Sequence, residues 1–148
     1  MYQSEIEKFS NQAKDKIRLL DERPSALGVG GLLAGAYVGM AIILIMTLGT
    51  EVPAEVRKLV MGGTFGLALI LVLFAGSELF TGYTLHCTLG VLNKKIPIHK
   101  AIKASLLVWV ANLAGALLLA IMYKLGNGPL LASTDTALHT VAYQKMNS

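Results

Sequence analysis

Long apolar runs alternate with short polar segments along the chain, and three of the runs have the length of a membrane span. Ser25–Gly49 carries no charge, the run 59–92 contains a single acid, Glu78, and the run 104–123 is again uncharged. A helix crosses the ~30 Å hydrocarbon core of a bilayer with about 20 apolar residues. The pattern therefore predicts an all-α integral membrane protein with three transmembrane helices.

The middle run is too long for one straight helix, and its centre is polar. Ala75–Gly82, with the sequence AGSELFTG, places two glycines and three polar residues inside this run. Irregular backbone at membrane depth is tolerated only where it is buried in protein or lines a cavity. We therefore expect a second span that is broken near 75–82 and resumes as a short helix at about 84–92. Broken helices of this kind mark solute sites in channels and transporters.

The first 24 residues predict an amphipathic helix. Five basic and five acidic side chains are mixed in residues 1–23, which is not the pattern of a signal peptide. The apolar residues recur at helical spacing and are Ile6, Phe9, Ala13, Ile17 and Leu20. Such a helix either lies along the membrane surface or packs against the protein's own loops, and both placements stay open.

Composition and charge agree with the membrane class and set the orientation. Hydrophobic residues make up 54% of the chain and charged residues 15%, against roughly 25% charge in soluble domains. This excludes a disordered chain, a nucleic-acid-binding module and an ordinary soluble enzyme. The connection 93–103 has four lysines and no acid, whereas the connection 50–58 balances two basic residues with two acidic ones. Since basic loops stay inside, we expect residues 1–24 and 93–103 in the cytoplasm. The connection 50–58 and the tail 124–148 are then outside.

Small and polar residues within the spans predict close helix packing. Glycines recur every fourth residue in the first span, and the third span offers small residues and one amide; the set is Gly31, Gly35, Gly39, Asn112 and Gly115. Small residues let helix backbones approach in lipid, where packing drives association. We interpret the stripe as packing within one bundle rather than as a dimerisation motif, and Asn112 as a hydrogen-bonding link between helices.

Within the break, Gly76, Ser77, Glu78 and Gly82 are expected to shape and stabilise the loop. Glu78 is expected to accept hydrogen bonds from backbone N–H groups of the loop, with participation in proton transfer as the alternative. Thr81 offers a neutral hydroxyl that can donate to an anion without a charge cost.

The chain carries no pattern typical of an enzyme or of a metal site. It has one cysteine and three histidines, and the histidines lack metal-ligand spacing with an acid or cysteine nearby. No nucleophile–base arrangement or phosphate-binding glycine loop is visible. We expect neither catalysis, nor a cofactor, nor a metal.

The octapeptide AGSELFTG resembles the formate/nitrite transporter family. The similarity extends to AGAYVGMAIILIMTLG at Ala34–Gly49, to VMGGTFGLALILVLF at Val60–Phe74 and to ANLAGALLLA at Ala111–Ala120. The phrase LVMGGTFG is more similar to the nitrite-channel branch than to the formate branch.

The resemblance implies an aquaporin-like bundle in which this chain corresponds to the first of two inverted three-span repeats. It also implies a homopentamer in the inner membrane of a bacterium, with one pore in each protomer. Each pore would conduct nitrite or formate, with protons as possible partners. Thr81 would belong to the central site, and Phe65, Leu69 and Leu79 to the apolar constrictions beside it. The family's pore histidine belongs to the second repeat. We therefore expect a truncated protein whose tail leads towards an absent fourth span. A small three-span membrane subunit without its own pore is the alternative.

Overall fold

The computed structural model describes residues 2–126 together with Tyr143 and Met146. The described part forms a helical bundle of five helices, α1 Tyr2–Glu22, α2 Pro24–Glu51, α3 Ala54–Phe74, α4 Phe80–Leu92 and α5 Ile98–Leu125. Helices α2, α3 and α5 are long and apolar enough to cross a membrane. Helix α4, with 13 residues, is only about 20 Å long. Residues 75–79 between α3 and α4 are not helical, so the expected break in the second apolar run is confirmed.

The helices extend beyond the apolar runs that predicted them. Helix α3 begins at Ala54 rather than near 59, and α5 begins at Ile98 rather than near 104. Pro53 and Pro97 occupy the N-cap positions of these helices. Proline is tolerated at a helix start because the N–H it lacks has no intrahelical partner there. Each helix begins directly after its proline, so Lys103 lies within α5 and not in a loop.

Glycines allow α2 and α5 to approach until backbone meets backbone. A Cβ added to Gly35 would lie 1.9 Å from the carbonyl oxygen of Asn112, and one added to Gly115 would lie 1.9 Å from that of Leu32. Two further glycines of α2 face the same helix and are Gly31, against Ala111, and Gly39, against Leu119. The glycine stripe thus lies within the bundle, in contact with α5.

Helix α1 is packed against the rest of the protein, mainly against α4. Ala13, Ile17 and Leu20 are buried in one cluster with Tyr83 and Cys87 of α4. In the middle of α1, Ser10 is fully buried. Its Oγ donates to the carbonyl oxygen of Ile6 at 2.7 Å and accepts from Nδ2 of Asn93 at 2.8 Å.

Helix α3 is the least covered of the membrane-spanning helices within the described part. A Cβ added to Gly62, Gly63 or Gly66 would meet nothing within 4 Å. Phe65 and Leu69, on the same stretch, are 41% and 45% exposed. The tail expected at 124–148 lies mostly outside the described residues.

Candidate functional site: the interrupted second crossing

The break begins with a left-handed turn that ends α3. Gly76 has φ +60°, a conformation that residues with a Cβ rarely adopt. Its N–H donates to the carbonyl oxygen of Leu73 at 3.2 Å, and the N–H of Ser77 donates to that of Val72 at 3.0 Å. These two bonds form a Schellman motif, which satisfies carbonyls at the end of a helix. The turn is therefore a defined structure and not a frayed helix end.

Asn112 of α5 holds the middle of the break in place. Its Nδ2 donates to the carbonyl oxygen of Gly31 at 2.8 Å and to that of Glu78 at 2.9 Å. Its Oδ1 accepts from the backbone N–H of Phe80 at 2.9 Å. The N–H of Glu78 in turn donates to the carbonyl oxygen of Gly30 at 3.2 Å. One amide side chain thus satisfies a backbone group within the break and one at the start of α4, and it ties both to α2 and α5.

The carboxylate of Glu78 has a different partner from the one expected. It forms an ion pair with Nζ of Lys16 on α1, while the backbone N–H groups of the break bond to carbonyls and to Asn112. The prediction that loop N–H groups satisfy this carboxylate is therefore wrong. A carboxylate with few water contacts is stabilised more by a full positive charge than by neutral donors. The Lys16 and Glu78 side chains are only 19% and 18% exposed.

Tyr83 secures Lys16 from the side of α4. The Lys16 Nζ lies 4.9 Å from the centre of the Tyr83 ring, a cation–π distance. The Tyr83 hydroxyl donates to the backbone carbonyl oxygen of Lys16 at 3.1 Å. The ion pair makes the break electrically neutral and attaches α1 to it.

Thr81 lies in the first turn of α4, and not in the loop where it was expected. Helix α4 begins at Phe80, so the non-helical residues are 75–79, and Gly82 is helical as well. Thr64 and Thr84 donate their hydroxyls to carbonyls four residues earlier. Residue 77, four before Thr81, lies outside the helix, so the same bond is not formed. Within the described residues the Thr81 hydroxyl has no hydrogen-bond partner, and the residue is exposed.

The three residues expected to form constrictions lie on both sides of the break. Phe65 and Leu69 are one helical turn apart on α3 and therefore share a face. Leu79 is the N-cap residue of α4 and is two positions from Thr81. Phe65 and Leu69 are thus neighbours because they lie one turn apart on α3. Leu79 and Thr81 are neighbours because they are close in sequence.

Sequence reasoning missed Lys16 and Tyr83 as parts of the site. The one acid of the apolar run 59–92 indicates that a cation must be nearby, since a charge at membrane depth is costly without a partner. Nothing in the sequence indicates which cation this is, because Lys16 is 62 positions away.

Among the histidines, His86 packs against Phe9 with ring centres 5.2 Å apart, and His139 lies outside the described residues. In the part of the chain that is described, no group of three or more metal-ligating side chains occurs.

The fold and this site define a class of protein: a multi-pass membrane protein with an interrupted crossing, the architecture of channels and transporters. A family model described as "Formate/nitrite transporter" matches residues 3–148. The nitrite transporter NirC of Salmonella typhimurium (strain LT2) is 44% identical over 146 residues, which are 98% of this chain and 54% of that protein. The formate-nitrite transporter of Plasmodium malariae is 29% identical over 125 residues, which are 78% of this chain and 40% of that protein.

A solved structure described as an FNT family ion channel agrees with these relatives. It superposes with a TM-score of 0.80 at 45% identity and covers 85% of this chain and 51% of its own. The chain belongs to the formate/nitrite transporter family. It spans about half the length of the relatives it matches.

Proposed function

We propose that this chain forms one half of a pore for small monovalent anions such as nitrite and formate, with the solute passing Thr81. The observation that carries the proposal is a break in a membrane-spanning helix where the local acid is neutralised and a hydroxyl is free to donate. Glu78 alone would repel an anion, but its pairing with Lys16 removes that obstacle.

The start of α4 supplies the remaining donors. The N–H groups of Thr81 and Gly82 lie in its first turn, where a helix leaves N–H groups without intrahelical partners. The positive end of the helix dipole also favours negative charge there. Phe65, Leu69 and Leu79 would form the apolar constrictions that strip water from the solute. Conduction requires binding that is weak enough to release, which neutral donors suit better than a fixed cation.

The second half of the pore, its protonating group and the assembly are parts of the same proposal. We infer that a proton neutralises the anion in transit, since a bare charge at the centre of a bilayer is costly. A homopentamer in a bacterial inner membrane, with one pore per protomer and with α1 in the cytoplasm, is supported by family membership and by the excess of lysine in residues 93–103.

A three-span subunit without its own pore is the second candidate. The exposed apolar surface of α3 within the described part supports it, because such a surface suits a partner helix. Sequencing the gene beyond the codon for Ser148 separates the two candidates. Three further spans with a histidine in the later repeat support the pore, whereas a stop codon and a stable product support the subunit.

Thr81→Val tests the pore directly. Valine keeps the shape of threonine and removes the donor, while Thr81→Ser keeps the donor and removes the methyl group. A hydrogen bond to a charged group contributes about 1.5–3 kcal/mol. If the bond is made at the rate-limiting barrier, this corresponds to a reduction in flux of about tenfold to 150-fold. The measurement is nitrite and formate uptake by proteoliposomes that hold the protein at equal density.

Thr64→Val is the matched control. Thr64 lies on α3 and already donates to the carbonyl oxygen of Val60 at 2.8 Å, so its loss should leave flux within about twofold. Equal flux for wild type and Thr81→Val, at equal yield of assembled protein, would assign Thr81 to the scaffold. The donors would then have to come from elsewhere.

A further inference from the structure

A groove lies away from the break, between α5 and the joint of α1 and α2. It has a volume of about 660 Å³ and is lined by Leu20 and Pro24 at the joint and by Lys103, Leu106, Leu107 and Val110 of α5. The four α5 residues follow the spacing i, i+3, i+4 and i+7, which places them on one helical face. The face has a cation at one end and apolar side chains along the rest.

The charged end of this groove is positive. Lys103 is exposed and has no ion pair among the described residues. The acid that also lines the groove, Asp21, is already paired with Lys100. Arg23, next to Pro24, is exposed and likewise unpaired within the described part. Among the described residues that line the groove, Lys103 therefore carries the one uncompensated charge, and it is positive.

The dimensions of the face suit a lipid. Val110 is seven residues beyond Lys103, which is about 10 Å along the helix axis. Leu106 and Val110 are 58% and 49% exposed, so the apolar part of the groove is open in the described part of the chain. A molecule that fills it needs an anionic group at the level of Lys103 and a hydrocarbon chain that descends along α5.

We propose that this groove binds an anionic phospholipid, with its phosphate on Lys103 and one acyl chain against Leu106, Leu107 and Val110. With α1 in the cytoplasm, as proposed above, the lipid belongs to the cytoplasmic leaflet. Basic pockets between membrane-spanning helices on that side bind anionic headgroups in this way. A free phosphate ion would use the cation but would leave the apolar part of the groove empty.

The test measures retained lipid by native mass spectrometry. Delipidated protein is titrated with phosphatidylglycerol or with phosphatidylcholine of the same acyl chains, and the bound lipids per protomer are counted. One lysine near the membrane surface adds about fivefold to the affinity for an anionic lipid, which corresponds to ~1 kcal/mol. We expect at least that preference for phosphatidylglycerol in the wild type, its loss in Lys103→Gln and its retention in Lys103→Arg.

Lys94→Gln is the matched control, because Lys94 is exposed in the turn after α4 and does not line the groove. It should keep the preference. Val110→Phe, which fills the apolar part, should weaken retention of both lipids while the Trp109 emission spectrum stays unchanged.

Four outcomes would overturn the proposal. Equal binding of the two lipids by the wild type would remove the role of charge. An equal loss in Lys94→Gln and Lys103→Gln would indicate only a diffuse surface potential. Displacement of the lipid by millimolar glycerol 3-phosphate, or unchanged retention in Val110→Phe, would show that no acyl chain occupies the groove.

Discussion

Replacement of Asn112 by alanine is the sharpest test of how the break is held. The amide makes three hydrogen bonds, to the carbonyl oxygens of Gly31 and Glu78 and from the N–H of Phe80. Alanine leaves all three backbone groups without this partner at membrane depth. Hydrogen bonds between helices in membranes contribute about 0.6 kcal/mol on average and up to about 1.7 kcal/mol. Three of them amount to roughly 2–5 kcal/mol.

Asn93→Ala is the matched control for this substitution. Asn93 also makes two side-chain hydrogen bonds, to Ser10 at 2.8 Å and to the carbonyl oxygen of Leu89 at 3.0 Å. Asn93 is exposed at the end of α4, and the buried Ser10 hydroxyl keeps its own bond to the Ile6 carbonyl, so the loss of Asn93 should cost about 1 kcal/mol or less. Stability is measured as resistance to unfolding in mixed micelles, followed by helical circular dichroism.

Hydrogen exchange adds a local measurement to the global one. In Asn112→Ala the amide of Phe80 loses its acceptor, so a peptide that covers residues 75–82 should exchange faster, while α2 peptides near Gly39 should change little. Equal stability of Asn112→Ala and Asn93→Ala, with unchanged exchange at 75–82, would refute the conclusion that Asn112 holds the break.

Two further predictions concern the helix packing and the ion pair. Gly35→Ala places a methyl group 1.9 Å from the Asn112 carbonyl oxygen, so α2 and α5 must separate and the yield of folded protein should fall sharply. Gly62→Ala is the control and should fold normally, because its methyl group meets nothing within 4 Å. Equal yields of the two variants would contradict the close approach of α2 and α5. Lys16→Gln leaves the Glu78 carboxylate without its cation and should lower stability by about 1.5–3 kcal/mol, whereas Lys16→Gln combined with Glu78→Gln should recover most of that loss. A double variant as unstable as the single one in the same micelle assay would show that the pair does not act as a unit.

The break could be predicted from the sequence, but the hydrogen bonds and the ion pair that hold it in place could not. Two glycines and three polar residues within an apolar run are sufficient to indicate that the helix is interrupted. The left-handed turn at Gly76 satisfies that expectation with a standard capping motif. The predicted break extends too far, to residue 82. Phe80, Thr81 and Gly82 are already helical, and Asn112 accepts the hydrogen bond of the Phe80 N–H at the start of α4.

The role of Glu78 shows where local reasoning fails. From the sequence, the nearest donors to its carboxylate are the N–H groups of its own loop. In the folded chain these groups are already paired, and Lys16 of α1 reaches the carboxylate from outside the membrane-spanning run. A partner 62 positions away cannot be selected from spacing, because other cations, such as Lys58 and Lys94, lie nearer to Glu78 along the chain.

The sequence by itself determined the class, the number of apolar runs and the interruption of the second. These properties depend on composition along one dimension, since bilayer thickness sets the length of a span and polar residues within a span are costly wherever they occur. The tertiary structure decided which helix covers the apolar face of α1, which helix the glycine stripe contacts and which side chain forms each hydrogen bond of the break. Those outcomes depend on which residues become neighbours when α2, α4 and α5 pack together, and Asn112 meets Gly31 and Phe80 only because Gly35 and Gly115 let two backbones touch.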